Sequence, residues 1–211
     1  MSPSKNTFNC PACGGEVHFK SVASVFSVCP YCQMMLVRKD LDLETYGKMA
    51  VLPADMSPFQ LGTSGKFEKR SFTLVGRLRL KWADGFWNEW YAIFDDGTPS
   101  WLAEAQGFYM LSFEKPQDLP HRTQISVGKP VALSGGTYEV DDIKEATCVG
   151  SEGELPFRSP KGRTSVSVDL TGKNQTFACI DYSEDGTRCY EGRYVEFDDL
   201  HFTGLRELDG W

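Results

Sequence analysis

Polar and apolar residues alternate along most of this chain, and the alternation predicts strands. In KRSFTLVGRLRLKW, residues 69–82, Phe72, Leu74, Gly76 and Leu78 fall on one face, and Thr73, Val75, Arg77 and Arg79 on the other. FWNEWYAIF, residues 86–94, separates Trp87, Glu89, Tyr91 and Ile93 from Asn88, Trp90, Ala92 and Phe94. Asp95-Asp96-Gly97 then reads as a hairpin turn, and SWLAEAQGFYMLSF as one or two strands broken at Gly107. Further on, VALSGGTYEVDDIKEATCVG predicts a strand, a Gly-Gly turn and a strand, and GELPFRSPKGR a long turn. TSVSVDL, QTFACIDY, RCYEGRYV and the tail LHFTGLREL complete the short strands. Only residues 41–50, LDLETYGKMA, have weak helical character, interrupted by Gly47.

The fold class is therefore mostly β. Turn-forming residues divide it into a small cysteine-bearing module over 1–40, a linker over 41–66, a first β module over 67–115, a Pro-rich linker over 116–130 and a second β module over 131–211. Each of the later modules suggests a small barrel or sandwich. Their shared style, a Gly-rich turn, an aromatic-plus-Val strand and later hairpins, is compatible with duplication.

The first module carries the clearest chemistry. Cys10-Pro-Ala-Cys13-Gly and Cys29-Pro-Tyr-Cys32-Gln are separated by fifteen residues. Two residues between cysteines let a tight turn present both sulfurs to one ion and aim backbone N–H groups at them. Short β pieces at Val17–Phe19, Ser24–Val28 and Met34–Arg38 complete a zinc ribbon. Cys10, Cys13, Cys29 and Cys32 are thus expected to hold one structural Zn2+, with iron as the alternative for an S4 set. A module of forty residues buries too little surface to fold unaided, so the ion supplies its stability. Gly14 follows the first pair, where a left-handed conformation is often needed; Gln33 occupies the equivalent place after the second. Cys148, Cys179 and Cys189 read as small buried hydrophobes.

Net charge of −7 disfavours broad nucleic-acid binding. Residues 1–40 carry four basic and two acidic side chains, but four thiolates on a divalent ion bring the loaded ribbon to about neutral. Lys20, Arg38 and Lys39 are too few for a phosphate clamp. The polar start MSPSKNTFNC is no signal peptide and no apolar run is long enough to span a membrane, so a cytoplasmic location is expected. The Asp pairs 95–96, 141–142 and 198–199 each adjoin turn-like sequence and read as solvated turn carboxylates. His18, His121 and His201 are scattered, and no nucleotide-binding or hydrolase motif occurs. No catalytic constellation is recognisable, and a non-enzymatic role is expected.

The combination CPACGGEV…CPYCQ, SPFQLGTSG, FTLVGR, WNEWYAIFDDG, WLAEAQG and GELPF resembles the bacterial DUF4178 family over nearly the whole chain. That resemblance implies a β-rich intracellular protein, and a partner network around membrane-stress or polyamine-linked genes in place of a known reaction. The leading expectation is a zinc-binding adaptor. Trp87, Glu89, Trp90, Tyr91, Trp101 and Glu104 would meet a protein partner, which could be membrane-associated. The competing reading of the aromatic window is a strand buried on both faces. One alternative is a small-ligand protein, binding a polycation through Glu89, Glu104, Asp141 and Asp142, or an enzyme, with a site between the β modules. Another is a nucleic-acid-binding ribbon.

Overall fold

The computed structural model describes residues 6–39, 42–49, 52 and 55–207. The remaining residues, including parts of the linker expected over 41–66 and the ends of the chain, lie outside that description. Strands dominate the described residues. β1 (Thr7–Asn9) and β2 (Glu16–His18) form a two-stranded sheet. β3 (Phe26–Val28), β4 (Met34–Lys39) and β5 (Asp42–Lys48) form an antiparallel unit beside it. β5 replaces the helical character expected over 41–50. The open edge of β4 offers unpaired backbone groups, Thr45 and Tyr46 favour strand, and tertiary pairing overrides a weak local preference.

Two four-stranded meanders follow. The first is β7 (Arg70–Trp82), β8 (Gly85–Phe94), β9 (Pro99–Ala105) and β10 (Phe108–Glu114), preceded by the short edge strand β6 (Ser64–Phe67). The second is β12 (Gly136–Leu155), β13 (Thr164–Thr171), β14 (Thr176–Ser183) and β15 (Gly186–Val195), with β11 (Pro130–Leu133) on its flank. β10 pairs with β15 and β12 with β7, so the ladders run round eight antiparallel strands and return to their start. The two strand-rich segments of the sequence are the two halves of this ring.

β12 makes the closure possible. Glu139–Thr147 pairs with β13, Thr147–Gly153 with β7, and Glu154 and Leu155 with β3. Bulges between Val140 and Asp142 and between Cys148 and Gly150 bend it from one neighbour to the next. At the seam Gly76 faces Gly153. A Cβ on Gly76 would lie 1.8 Å from the Glu154 carbonyl oxygen, and one on Gly153 2.2 Å from that of Val75. Only glycine admits so close an approach.

Another bulge, between Leu74 and Gly76, breaks the simple alternation of β7. Phe72 and Leu74 join an outer core with Phe59, Trp90, Phe94 and Leu102, whereas Val75, Leu78 and Leu80 join an inner one with Tyr91 and Trp101. The tail 200–207 is not a strand, apart from one bridge between Thr203 and Ser64. Leu200, Phe202 and Leu205 instead cap the outer core, Phe202 packing 4.7 Å from Phe59 between ring centroids. The segment before β12 covers the second meander in the same way: Ile125, Val131 and Leu133 pack on Val168, Leu170, Ala178 and Ile180. Phe26, Met35 and Val37 of the ribbon, with Met49 just beyond it, share the inner cluster with Val75 and Leu155.

Candidate functional site

Two sites emerge. In the ribbon, the segments after the two Cys-x-x-Cys turns have near-identical backbones. The Cys10 carbonyl accepts from the Gly14 N–H at 2.8 Å, and the Cys29 carbonyl from the Gln33 N–H at 3.0 Å. Gly14 (φ +75°) and Gln33 (φ +59°) are both left-handed, so the glutamine adopts the conformation its glycine counterpart takes at less cost. Backbone N–H groups of Gly15, Met34 and Tyr31 aim at the sulfurs of Cys13, Cys32 and Cys29, in that order. The Sγ atoms of Cys10 and Cys32 stand 3.8 Å apart, as do those of Cys13 and Cys29, and all four lie within 4.8 Å of one another. A tetrahedral shell with bonds of about 2.3 Å has edges of about 3.8 Å, so this set can hold one metal ion. His18 is not part of it; its ring bonds Thr7 and Glu16. The Glu154 carboxylate ties the ribbon to the ring by accepting from the Lys20 and Ser21 backbone N–H groups at 2.7 and 3.2 Å.

The second site is the lumen of the ring, a cavity of about 770 Å³. Eight-stranded barrels are either filled by side chains or hold one small ligand, and this volume falls in the range of ligand sites. The first meander contributes Leu78, Leu80, Trp87, Glu89, Trp101 and Met110; the second contributes Ser167, Asp169, Phe177, Asp181, Tyr190 and Tyr194. Exposed Phe86 and Phe108 stand at the rim. Among the described residues six carboxylates line the space, Glu89, Asp141, Asp142, Asp169, Asp181 and Glu196, against two cations, Lys144 and Arg163.

Asp169 is paired with Lys144 at 3.1 Å, and Asp181 lies 3.7 Å from Arg163. Burial pushes both carboxyls above their ordinary range. Glu89 accepts from the Trp87 indole N–H at 3.0 Å and forms no ion pair with any described residue. Burial, with Asp181 and Asp169 nearby, pushes it up to about 7. Among the described residues only the four ribbon cysteines cluster tightly enough to chelate an ion, so the lumen carboxylates are spread wider than one metal shell.

The aromatic window divides between environments. Trp87 and Glu89 line the lumen, Trp101 bounds it, and Tyr91 is buried in the inner cluster against the Trp101 ring at 5.1 Å. Trp90 is wholly buried on the opposite face, where its indole N–H donates to Glu104 at 3.1 Å. Glu104 also accepts from Ser57 and Asn88, at 2.7 and 3.0 Å. Because Asn88 is the β-partner of Glu104, Glu89 and Glu104 lie on opposite faces of the wall and are not brought together. Asp141 and Asp142 sit at a bulge within β12 and face the cavity, not in a turn as their neighbours suggest; the bulge lets two consecutive side chains share one side. Asp95 and Asp96 lie in the β8–β9 hairpin, and Asp198 and Asp199 in a 3₁₀ turn. Cys148 and Cys189 are buried, whereas Cys179 faces the lumen. Asp169 and Asp181 escaped the sequence reading, although the alternation of Ser165, Ser167 and Asp169 with Val166, Val168 and Leu170 marks one polar face.

A family model described as a domain of unknown function, DUF4178, matches residues 60–197, which include the whole ring. No curated protein and no solved structure matches the chain. Among the described residues no helix is long and apolar enough to cross a membrane.

Proposed function

Since this chain belongs to the DUF4178 family, whose description assigns no activity, we propose a function from the ring itself: it captures a small organic molecule in its lumen, while the ribbon folds around a structural zinc ion. The lumen volume carries this reading. Two long segments are spent covering the outside of the wall while the inside is left open, the reverse of a barrel filled by its own side chains. Zinc is favoured because a closed four-thiolate set suits it and leaves no position for a substrate. Metal analysis should find one zinc per chain; visible charge-transfer absorption would replace zinc with iron.

Titration of a cationic, anionic and neutral fragment panel, followed through Trp87 and Trp101 fluorescence, tests the lumen. Saturable binding by at least one class is expected, and Ala103→Trp, which fills the cavity, should abolish it while the fold survives. Binding that persists in that variant would move the site elsewhere, and the lack of any saturable ligand would remove the proposal.

A second reading keeps the adaptor role, with the ribbon face as the docking surface for a protein partner, including one in a membrane-stress or polyamine-linked assembly. Val22, Tyr31 and Tyr46, all more than half exposed on the N-terminal module, favour it. Affinity capture from the native cell, with and without a Tyr31→Ser/Tyr46→Ser pair, tests it: partners lost with the pair support the reading, and partners unaffected by it do not.

A further inference from the structure

We infer that the lumen ligand is an organic cation, an amine with an apolar body, whose ammonium is taken by Glu89 together with Asp169 and Asp181. The inference rests on the lumen-binding reading and narrows it to a chemical class.

Three observations converge. First, the cavity lining combines rings with carboxylates. The inner face of β7–β10 presents Trp87, Trp101 and aliphatic side chains with Glu89 among them, and that of β13–β15 presents Ser165, Ser167, Asp169 and Asp181 with Phe177, Tyr190 and Tyr194. A molecule in this space meets both aromatic rings and carboxylates. Such a pairing suits an amphiphilic cation, since aromatic faces attract positive charge as carboxylates do. Second, the anionic groups are not internally neutralised. Lys144 is shared between Asp142 and Asp169, and Arg163 between Asp181 and Asp185. Among the described residues Glu89 has one indole donor and no ion-pair partner, although it is enclosed by protein with its face to the cavity. A buried carboxylate without a counter-charge is costly, and an ammonium brought by a ligand would supply what the chain does not. Third, the lumen lacks the close ligand packing seen in the ribbon. The lumen oxygens do not gather into a chelating set among the described residues, while the ribbon cysteines do. Charge spread over several ångströms, beside apolar rings, matches an alkylammonium with several N–H donors.

The test uses the full chain and a matched hexyl series: hexylamine, 1,6-diaminohexane, hexanol and hexanoate, measured by calorimetry at pH 8. The amines should bind at least tenfold more tightly than hexanol, and hexanoate not at all. Glu89→Gln should weaken the amines tenfold or more and leave hexanol unchanged, which separates charge recognition from a collapsed cavity. Asp169→Asn provides a second, independent variant with the same expected pattern. If hexanol or hexanoate binds as well as hexylamine, or Glu89→Gln leaves amine affinity intact, the cation assignment falls while the lumen reading stands. If no member binds the wild-type chain at millimolar concentration, both fall together.

Discussion

The wall of the ring has carboxylates on both sides, and their surroundings are opposite. On the outer face Asp55 meets Arg77, Arg79 and Arg206, and Glu104 accepts from Ser57, Asn88 and Trp90. Although burial acts against it, the three guanidinium groups hold the Asp55 carboxyl below its ordinary range. On the inner face, a single residue away along β8, Glu89 has one donor and is pushed up to about 7 by burial. The outer set is saturated by the chain's own donors and fastens the 55–60 segment over Trp90. The inner set is left short of partners. The difference separates carboxylates that hold the fold from carboxylates that await something.

Removing Asp55 should have the largest effect. Asp55→Ala removes the carboxylate that three arginines share, two of them nearly buried, and should lower stability by about 3 kcal/mol or more in urea unfolding. A loss near zero would mean that the outer network is ornamental and the contrast empty. Glu89→Gln should act in the other direction and only at higher pH. A carboxyl that keeps its proton to about 7 in the folded state but to 4.5 when unfolded stabilises the fold fully below 4.5. It loses that contribution as pH rises through about 7. The variant should therefore match wild type near pH 4 and exceed it by about 3 kcal/mol near pH 8. A pH-independent difference would show that Glu89 is neutralised by the chain after all. The groups that share its space, Asp181, Asp169 and Arg163, belong in the same titration. Amine capture should strengthen over the same rise in pH, as Glu89 becomes anionic. Glu104→Gln keeps the shape but weakens charge-assisted bonds, and should cost about 1–2 kcal/mol without altering ligand affinity. Smallest of all, Gln33→Gly relieves a left-handed residue in the ribbon and should gain on the order of 1 kcal/mol or less in metal-loaded protein, outside both carboxylate sets.

The parts of this molecule legible in its sequence are the local ones. Cys-x-x-Cys spacing places four sulfurs around one point because each turn is built within five residues. Alternation in residues 86–94 assigns Trp87 and Glu89 to one face and Trp90 to the other, as observed. Ring closure is not legible, since it depends on Gly76 meeting Gly153 across 77 positions of sequence. The β7 bulge also shifts the phase of a strand whose pattern looks regular. For the site, alternation identifies the polar face of Thr164–Thr171 but not its direction. Polar faces usually meet water outside; here the apolar face is outside because residues 119–133 cover it. Glu89 was within reach because it stands between two tryptophans; Asp169 and Asp181 were not, because the inside of a barrel has no signature in any one strand.

β12 is one continuous strand that lines the lumen with Asp142 and Lys144 and ends by pairing with the ribbon through Glu154 and Leu155. A fragment cut to residues 60–197 would retain the ring yet lose β3 and the four N-terminal side chains that share a cluster with Val75 and Leu155. Its β12 terminus would then leave Glu154 and Leu155 without their β3 partner, an open strand edge that can pair with other copies. Expression of the minimal domain should thus give soluble aggregates or edge-joined oligomers, and the ribbon doubles as the molecule's guard against self-association.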